Sequence, residues 1–150
     1  MADAVTLNTL FSNTWQNIFD LISNNVTDPA NRGTKWVYAG FPYSKIDDSS
    51  AYPLIVIENP TNSGFEIHTL SYNAKTVVLT VTIDVYSTKS SELDSICDNI
   101  VSVLDSHSST LASNKLHNLR LASSTYETIE RDAIKIHHRS LIYELEFDIT

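Results

Sequence analysis

The stretch Thr76-Val77-Val78-Leu79-Thr80-Val81-Thr82-Ile83-Asp84-Val85-Tyr86 decides the fold. Val77, Leu79, Val81, Ile83 and Val85 share one parity; Val78, Thr80, Thr82, Asp84 and Tyr86 share the other. Successive side chains of a strand point to opposite faces, so this period of two predicts a half-buried antiparallel strand. Such a strand needs neighbours in a sheet and a second layer against its apolar face.

The neighbours lie on either side in sequence. The run Leu54-Ile55-Val56-Ile57 is unbroken and apolar, as expected for a short strand covered on both faces. It is introduced by Tyr52-Pro53 and followed by a polar excursion, Asn59-Pro60-Thr61-Asn62-Ser63-Gly64. A second piece of strand is expected from Phe65 to Thr69, with a turn at Tyr72-Asn73-Ala74. At the end of the chain, Leu141, Tyr143, Leu145, Phe147 and Ile149 alternate with Ile142, Glu144, Glu146 and Asp148. Leu119, Leu121, Ser123 and Thr125 predict a strand before it, and Glu130-Arg131-Asp132-Ala133 the turn that joins the two. A further short strand is expected within Lys35 to Ala39.

Two helices supply the second layer. Leu7, Leu10, Phe11, Trp15, Ile18, Phe19, Ile22 and Val26 recur at steps of three and four, an amphipathic helix whose apolar stripe is assigned to the core. It ends at Asn24-Asn25, since Thr27-Asp28-Pro29 opposes continuation. The second helix starts at Ser90 or Ser91, where Ser91 and Asp94 have the spacing of a capping box. It buries Leu93, Ile96, Cys97, Ile100 and Leu104, and is expected to fray near Ser106-His107-Ser108-Ser109. The expected fold is α+β: a mostly antiparallel sheet packed on one face by two helices, in the order α-β-β-β-α-β-β. Residues 1–150 are expected to form a single domain, a length that can bury a real core.

Composition excludes much chemistry. The net charge is −8, so the general field of the chain repels a phosphate backbone. One cysteine, Cys97, permits neither an intrachain disulfide nor a cysteine-based zinc site. Three glycines, at 33, 40 and 64, leave no phosphate loop, dinucleotide fingerprint or Gly-x-Ser-x-Gly elbow. His137 and His138 would point to opposite faces of a strand and cannot chelate one metal. Glu144, Glu146 and Asp148 form an acidic stripe whose members lie about 6.5–7 Å apart by strand rise. That spacing suits a glycosidase pair, but no aromatic-lined cleft accompanies it. We expect no catalytic residues, cofactor or bound metal. The amino terminus has no basic region followed by an apolar run, and no stretch is long enough to span a membrane, so a soluble protein made in a cytoplasm is expected.

The order of segments carries a resemblance. A helix is followed by the proline-led strand Tyr52-Pro53-Leu54-Ile55-Val56, and then by a protruding pair and the strand Leu79 to Tyr86. A helix opening at Ser91-Glu92-Leu93-Asp94 comes next, and a closing hairpin holds Arg139 to Phe147. This pattern resembles the tail terminator (tail completion) proteins of long-tailed bacteriophages and spans nearly the whole chain. The resemblance implies a structural virion protein rather than an enzyme. It implies a homomeric ring, typically a hexamer, that caps the tail tube, stops its polymerisation and offers a docking surface to the head. The implied partners are the major tail-tube protein below and a head connector or stopper above, with DNA passing through the centre without tight binding. The implied location is the head-proximal end of the virion tail, after assembly in the host cytoplasm. A head–tail connector or tail-tube component is the alternative. From other classes, a small soluble enzyme or a ligand-binding module remains open. A ring needs patches that meet around the circle and along its axis. The candidates are the protruding segment with Glu66, His68 and Tyr72, the hairpin turn with Arg131 and Asp132, and the loop pair Asp47 and Asp48.

Overall fold

The computed structural model describes residues 2–67 and 75–149. The fold is α+β, with a mostly antiparallel sheet of six strands. Helix α1 spans Leu10–Asn25. Strands β1 (Val37–Tyr38), β2 (Leu54–Ile57), β3 (Thr61–Ile67) and β4 (Lys75–Ser87) follow. Helices α2 (Ser90–Ser106) and α3 (Ser108–Ser113) then lead to the long hairpin of β5 (Leu116–Arg131) and β6 (Ile134–Ile149). The sheet order is β1-β2-β4-β6-β5, with β3 beside β4. Among the described strands only β1 and β2 run parallel; β4 pairs antiparallel with β2, β3 and β6, and β6 with β5.

The alternation in β4 places its side chains as its sequence requires. Leu79, Val81, Ile83 and Val85 are fully buried, and they meet Leu145, Tyr143, Leu141 and Arg139 across the ladder with β6. Helix α2 adds Leu93, Ile96, Cys97, Ile100, Val103 and Leu104 to this core, and α1 adds Ile18, Leu21 and Ile22. Each fully buried large side chain contributes about 1.5–3 kcal/mol, so this one layer holds most of the stability.

The opposite face of the sheet is also covered at one end, which the two-helix expectation did not include. The segment from Tyr38 to Tyr52 folds across it, and Tyr52, Leu54, Val56 and Ile136 form a second, smaller core with Phe41, Ile46, Tyr86, Ile129 and Ile134. This is why all four residues of β2 are buried. Arg32 ties the segment down. Its guanidinium pairs with Asp28 at 2.9 Å, donates to the Ala51 carbonyl at 2.7 Å and also reaches the Pro53 carbonyl. Burial opposes the Asp28 charge, but the Arg32 guanidinium and two backbone N–H groups outweigh it and hold the carboxyl below its usual range.

Several boundaries differ from those expected. Leu7–Thr9 is a 3₁₀ turn, and Leu7 and Phe11 are exposed rather than in the core. Asn62, expected in a loop, lies within β3, where a register shift between Asn62 and Gly64 absorbs the irregular stretch. The expected turn at Tyr72-Asn73-Ala74 lies outside the described residues. No capping box forms at Ser91. Instead the buried Ser87 Oγ accepts from the Lys89 N–H at 3.0 Å and donates to Glu92 at 2.8 Å, and the helix starts at Ser90, as expected. Asp94 turns outward to Arg139 at 3.0 Å. The fraying expected after Ser106 is replaced by α3, whose Leu111 is buried in the main core. β5 runs beyond the expected strand at both ends and bulges between His117 and Arg120 and again between Leu121 and Ser123. Asn118, with φ of 53°, supplies the left-handed conformation at the first bulge.

Candidate functional site

The interface candidates among the described residues fall at two opposite ends of the sheet. At one end the β5–β6 hairpin overshoots its neighbours: the ladder to β4 stops at His137, while β5 and β6 stay paired as far as Arg131 and Ile134. Its turn holds Asp132 and Ala133, both exposed. Arg131 lies 84 residues from Asp47 in sequence, yet donates to both of its carboxylate oxygens, at 3.0 and 3.4 Å. Two candidates read separately are therefore one surface. The Arg131 guanidinium holds the Asp47 carboxyl below its usual range, and Asp47 raises Arg131 in turn. Asp48 accepts from the Ser50 N–H at 3.0 Å and from its hydroxyl at 2.7 Å, capping the short turn Ser49–Ala51. Tyr43, 76 % exposed, stands on the same loop. Tyr52 anchors that loop by donating its hydroxyl to the Ile46 carbonyl at 2.8 Å, and burial pushes its pKa up to about 12.

Glu66 is at the other end. It lies on β3 opposite Thr76, which in turn faces Asp148 on β6. Along β6 that position is about 50 Å from the hairpin turn by strand rise. His68 and Tyr72 lie outside the described residues.

The structure also assembles a polar cluster that the sequence did not reveal. His138 on β6 lies within 2.9 Å of Asp84 on β4 through Nε2 and within 2.8 Å of Glu127 on β5 through Nδ1. Ionised carboxylates only accept, so this arrangement favours the protonated imidazole, whose two N–H groups can donate one to each. Tyr86 stacks on the ring at 4.3 Å, with the planes 4° apart. Asp84 is 6 % exposed and also accepts from the Ser140 hydroxyl. The cluster clamps three adjacent strands. Ser140 Oγ lies 3.3 Å from the same Nε2 that Asp84 holds at 2.9 Å. His137, on the opposite face, instead meets the Tyr126 hydroxyl at 2.6 Å.

A pH dependence follows. Burial lowers the His138 pKa, but the hydrogen bonds and charges of Asp84 and Glu127 outweigh it and leave the value above the ordinary 6.5. The resulting stabilisation is fully present below about pH 6.5 and is lost as pH rises through the higher folded-state value. Glu58 acts in the same direction, because burial and then the Asp84 charge raise its pKa and penalise its ionised form. The melting temperature should therefore fall as pH rises above about 6.5, the ordinary histidine value. His138→Gln should cost about 2–3 kcal/mol near pH 6 and flatten that slope; an unchanged slope in thermal melts would contradict the clamp.

Among the described residues no group of three or more His, Cys, Asp or Glu side chains is placed to hold a metal ion. No described helix is long and apolar enough to cross a membrane. The acidic stripe of β6 is partly neutralised, with Arg120 lying 3.7 Å from Glu144 and 3.8 Å from Glu146. Comparison of the sequence with protein-family models and with curated proteins finds no match.

Proposed function

We propose that this chain is a ring-forming structural subunit of the tail-terminator kind. In this reading six copies cap the tail tube of a long-tailed phage, stop its growth and present a surface to the head connector. The observation that carries it is the hairpin tip that overshoots the sheet at one end, with the β3–β4 pair reaching the other. The hairpin tip with Arg131 and Asp47 is at one end, and the β3–β4 end with Glu66 is at the other. A subunit that must touch one partner above and another below needs two such ends on a rigid body. The acidic balance fits a channel through which DNA slides without being held.

The catalytic alternative has little support, since the buried cluster with the richest chemistry has its histidine engaged on both nitrogens. A gold-labelled antibody against the protein should mark the head-proximal end of purified tails, on a ring. Label spread along the tube would favour a tail-tube component, and label on tail-free heads a connector.

A further inference from the structure

The His138 clamp stands at the root of the overshooting hairpin. Its row pairs Tyr86 with His138 and His138 with Glu127, one step before the ladder to β4 ends at Ser87 and His137. Beyond that step β5 and β6 continue as a two-stranded ribbon, which has little stability of its own. One face of the ribbon rests on the second core through Ile129, Ile134 and Ile136. Its tip is tied to the covering loop by the exposed pair of Arg131 and Asp47. The clamp is the polar tie at its base.

The two acceptors of the imidazole are not equivalent. The Asp84 side chain is 8 % exposed and sits on the central strand β4, whereas that of Glu127 is 63 % exposed and sits on the edge strand β5. The other groups that face the ring strengthen the asymmetry. Glu58, just past β2, sets a further negative charge near Asp84 and His138. Ser140 on β6 gives its proton to Asp84. Tyr86 stacks on the imidazole, and Phe41 packs edge-on against Tyr86 at 4.8 Å, so the ring is held in its plane. His137 and Arg139, its neighbours on β6, point to the opposite face and meet Tyr126 and Asp94 there. A neutral imidazole keeps one N–H and turns a lone pair to its other partner. A lone pair toward Asp84 would strand a buried carboxylate. A lone pair toward Glu127 repels a side chain that can turn to water at little cost.

We propose that when His138 loses a proton it keeps the one on Nε2 toward Asp84 and releases Glu127, so that β5 loosens at the root of the hairpin while β4 and β6 stay tied. The hairpin is then a proton-dependent element, firm with His138 charged and looser with it neutral. The charges and hydrogen bonds of Asp84 and Glu127 outweigh burial and put the transition above the ordinary histidine value of 6.5. One consequence rests on the ring reading proposed above: the tip presents a less rigid docking surface as pH rises. The release itself does not depend on that reading.

Nuclear magnetic resonance of the isolated subunit tests it. Nitrogen shifts of the His138 ring, followed through its titration, locate the midpoint and identify the neutral tautomer. Above the midpoint the proton should lie on Nε2. Amide exchange, corrected for its intrinsic rise with pH, should show the protection of Ser123 to Arg131 falling by about tenfold across the same range. Glu127→Gln, a change at an exposed position, supplies the control. A glutamine amide can accept from the charged ring and donate to the neutral one, so this variant should keep its β5 protection unchanged while His138 still titrates. A neutral ring protonated on Nδ1 would overturn the proposal. So would wild-type protection that ignores the titration, or Glu127→Gln losing as much as the wild type. Tails of normal length without the gene would remove the docking consequence and leave the release standing.

Discussion

Val81→Asp is expected to abolish folding, while Thr82→Asp leaves a folded subunit. Val81 is fully buried in the main core, opposite Tyr143 on β6 and among apolar side chains from both helices. No cation belongs to that cluster, so the new carboxylate would be unpaired. Its burial costs several kcal/mol, against a total stability of about 5–15 kcal/mol for a domain of this size. Thr82 pairs with Ile142 on the other face and is only half-buried. An aspartate there can reach water, at the cost of some repulsion from Asp84 and Glu58. Far-UV circular dichroism and thermal melts of the two variants separate the cases: equal loss in both would refute the face assignment.

The second large effect is on assembly. Reversing the charges with Arg131→Glu and Asp132→Lys should leave the melting curve close to that of the wild type, because Arg131 and Asp47 are 44 % and 66 % exposed and exposed ion pairs contribute little to stability. The same change sets a second carboxylate against Asp47 and releases the loop that Arg131 holds at 3.0 Å. The hairpin tip would then lose its tie to the loop and exchange the positions of its two charges, its net charge unchanged. In a phage complementation test we expect normal protein levels with overlong or headless tails. Full complementation would remove the hairpin tip from the docking surface.

What could be read from the sequence follows the range of the interactions. The alternation of Thr76 to Tyr86 and of Leu141 to Phe147 is local, set by the two-residue period of a strand, and the apolar face is buried as it requires; on the other face of β4, Thr76, Val78 and Asp84 are buried too, while Thr80, Thr82 and Tyr86 are half-buried. The stripe Leu93, Ile96, Cys97, Ile100 and Leu104 is likewise set by helical geometry, and all five are buried. Phe11 and Leu7 escaped because periodicity reports angle and not position along the axis: Phe11 shares the angle of the buried Ile18 and Ile22 but lies in the first turn of α1, and Leu7 lies before it, in the 3₁₀ turn. The clamp of His138 with Asp84 and Glu127 depends on a register that pairs Tyr86 with His138 and Glu127 with His138. Asp84 and His138 are 54 residues apart, and no local pattern fixes a register over that separation. The same holds for Arg131 and Asp47, chosen separately as polar projections and joined only by the path of the loop that covers the second face.

The length of tails made without this protein separates a terminator from a connector. A phage in which the gene is deleted should assemble tube beyond the normal length and produce heads that carry no tails, and electron micrographs should show a broad distribution of tube lengths. Tails of normal, uniform length that only fail to join heads would contradict the terminator reading and assign the ring to the head–tail connector instead.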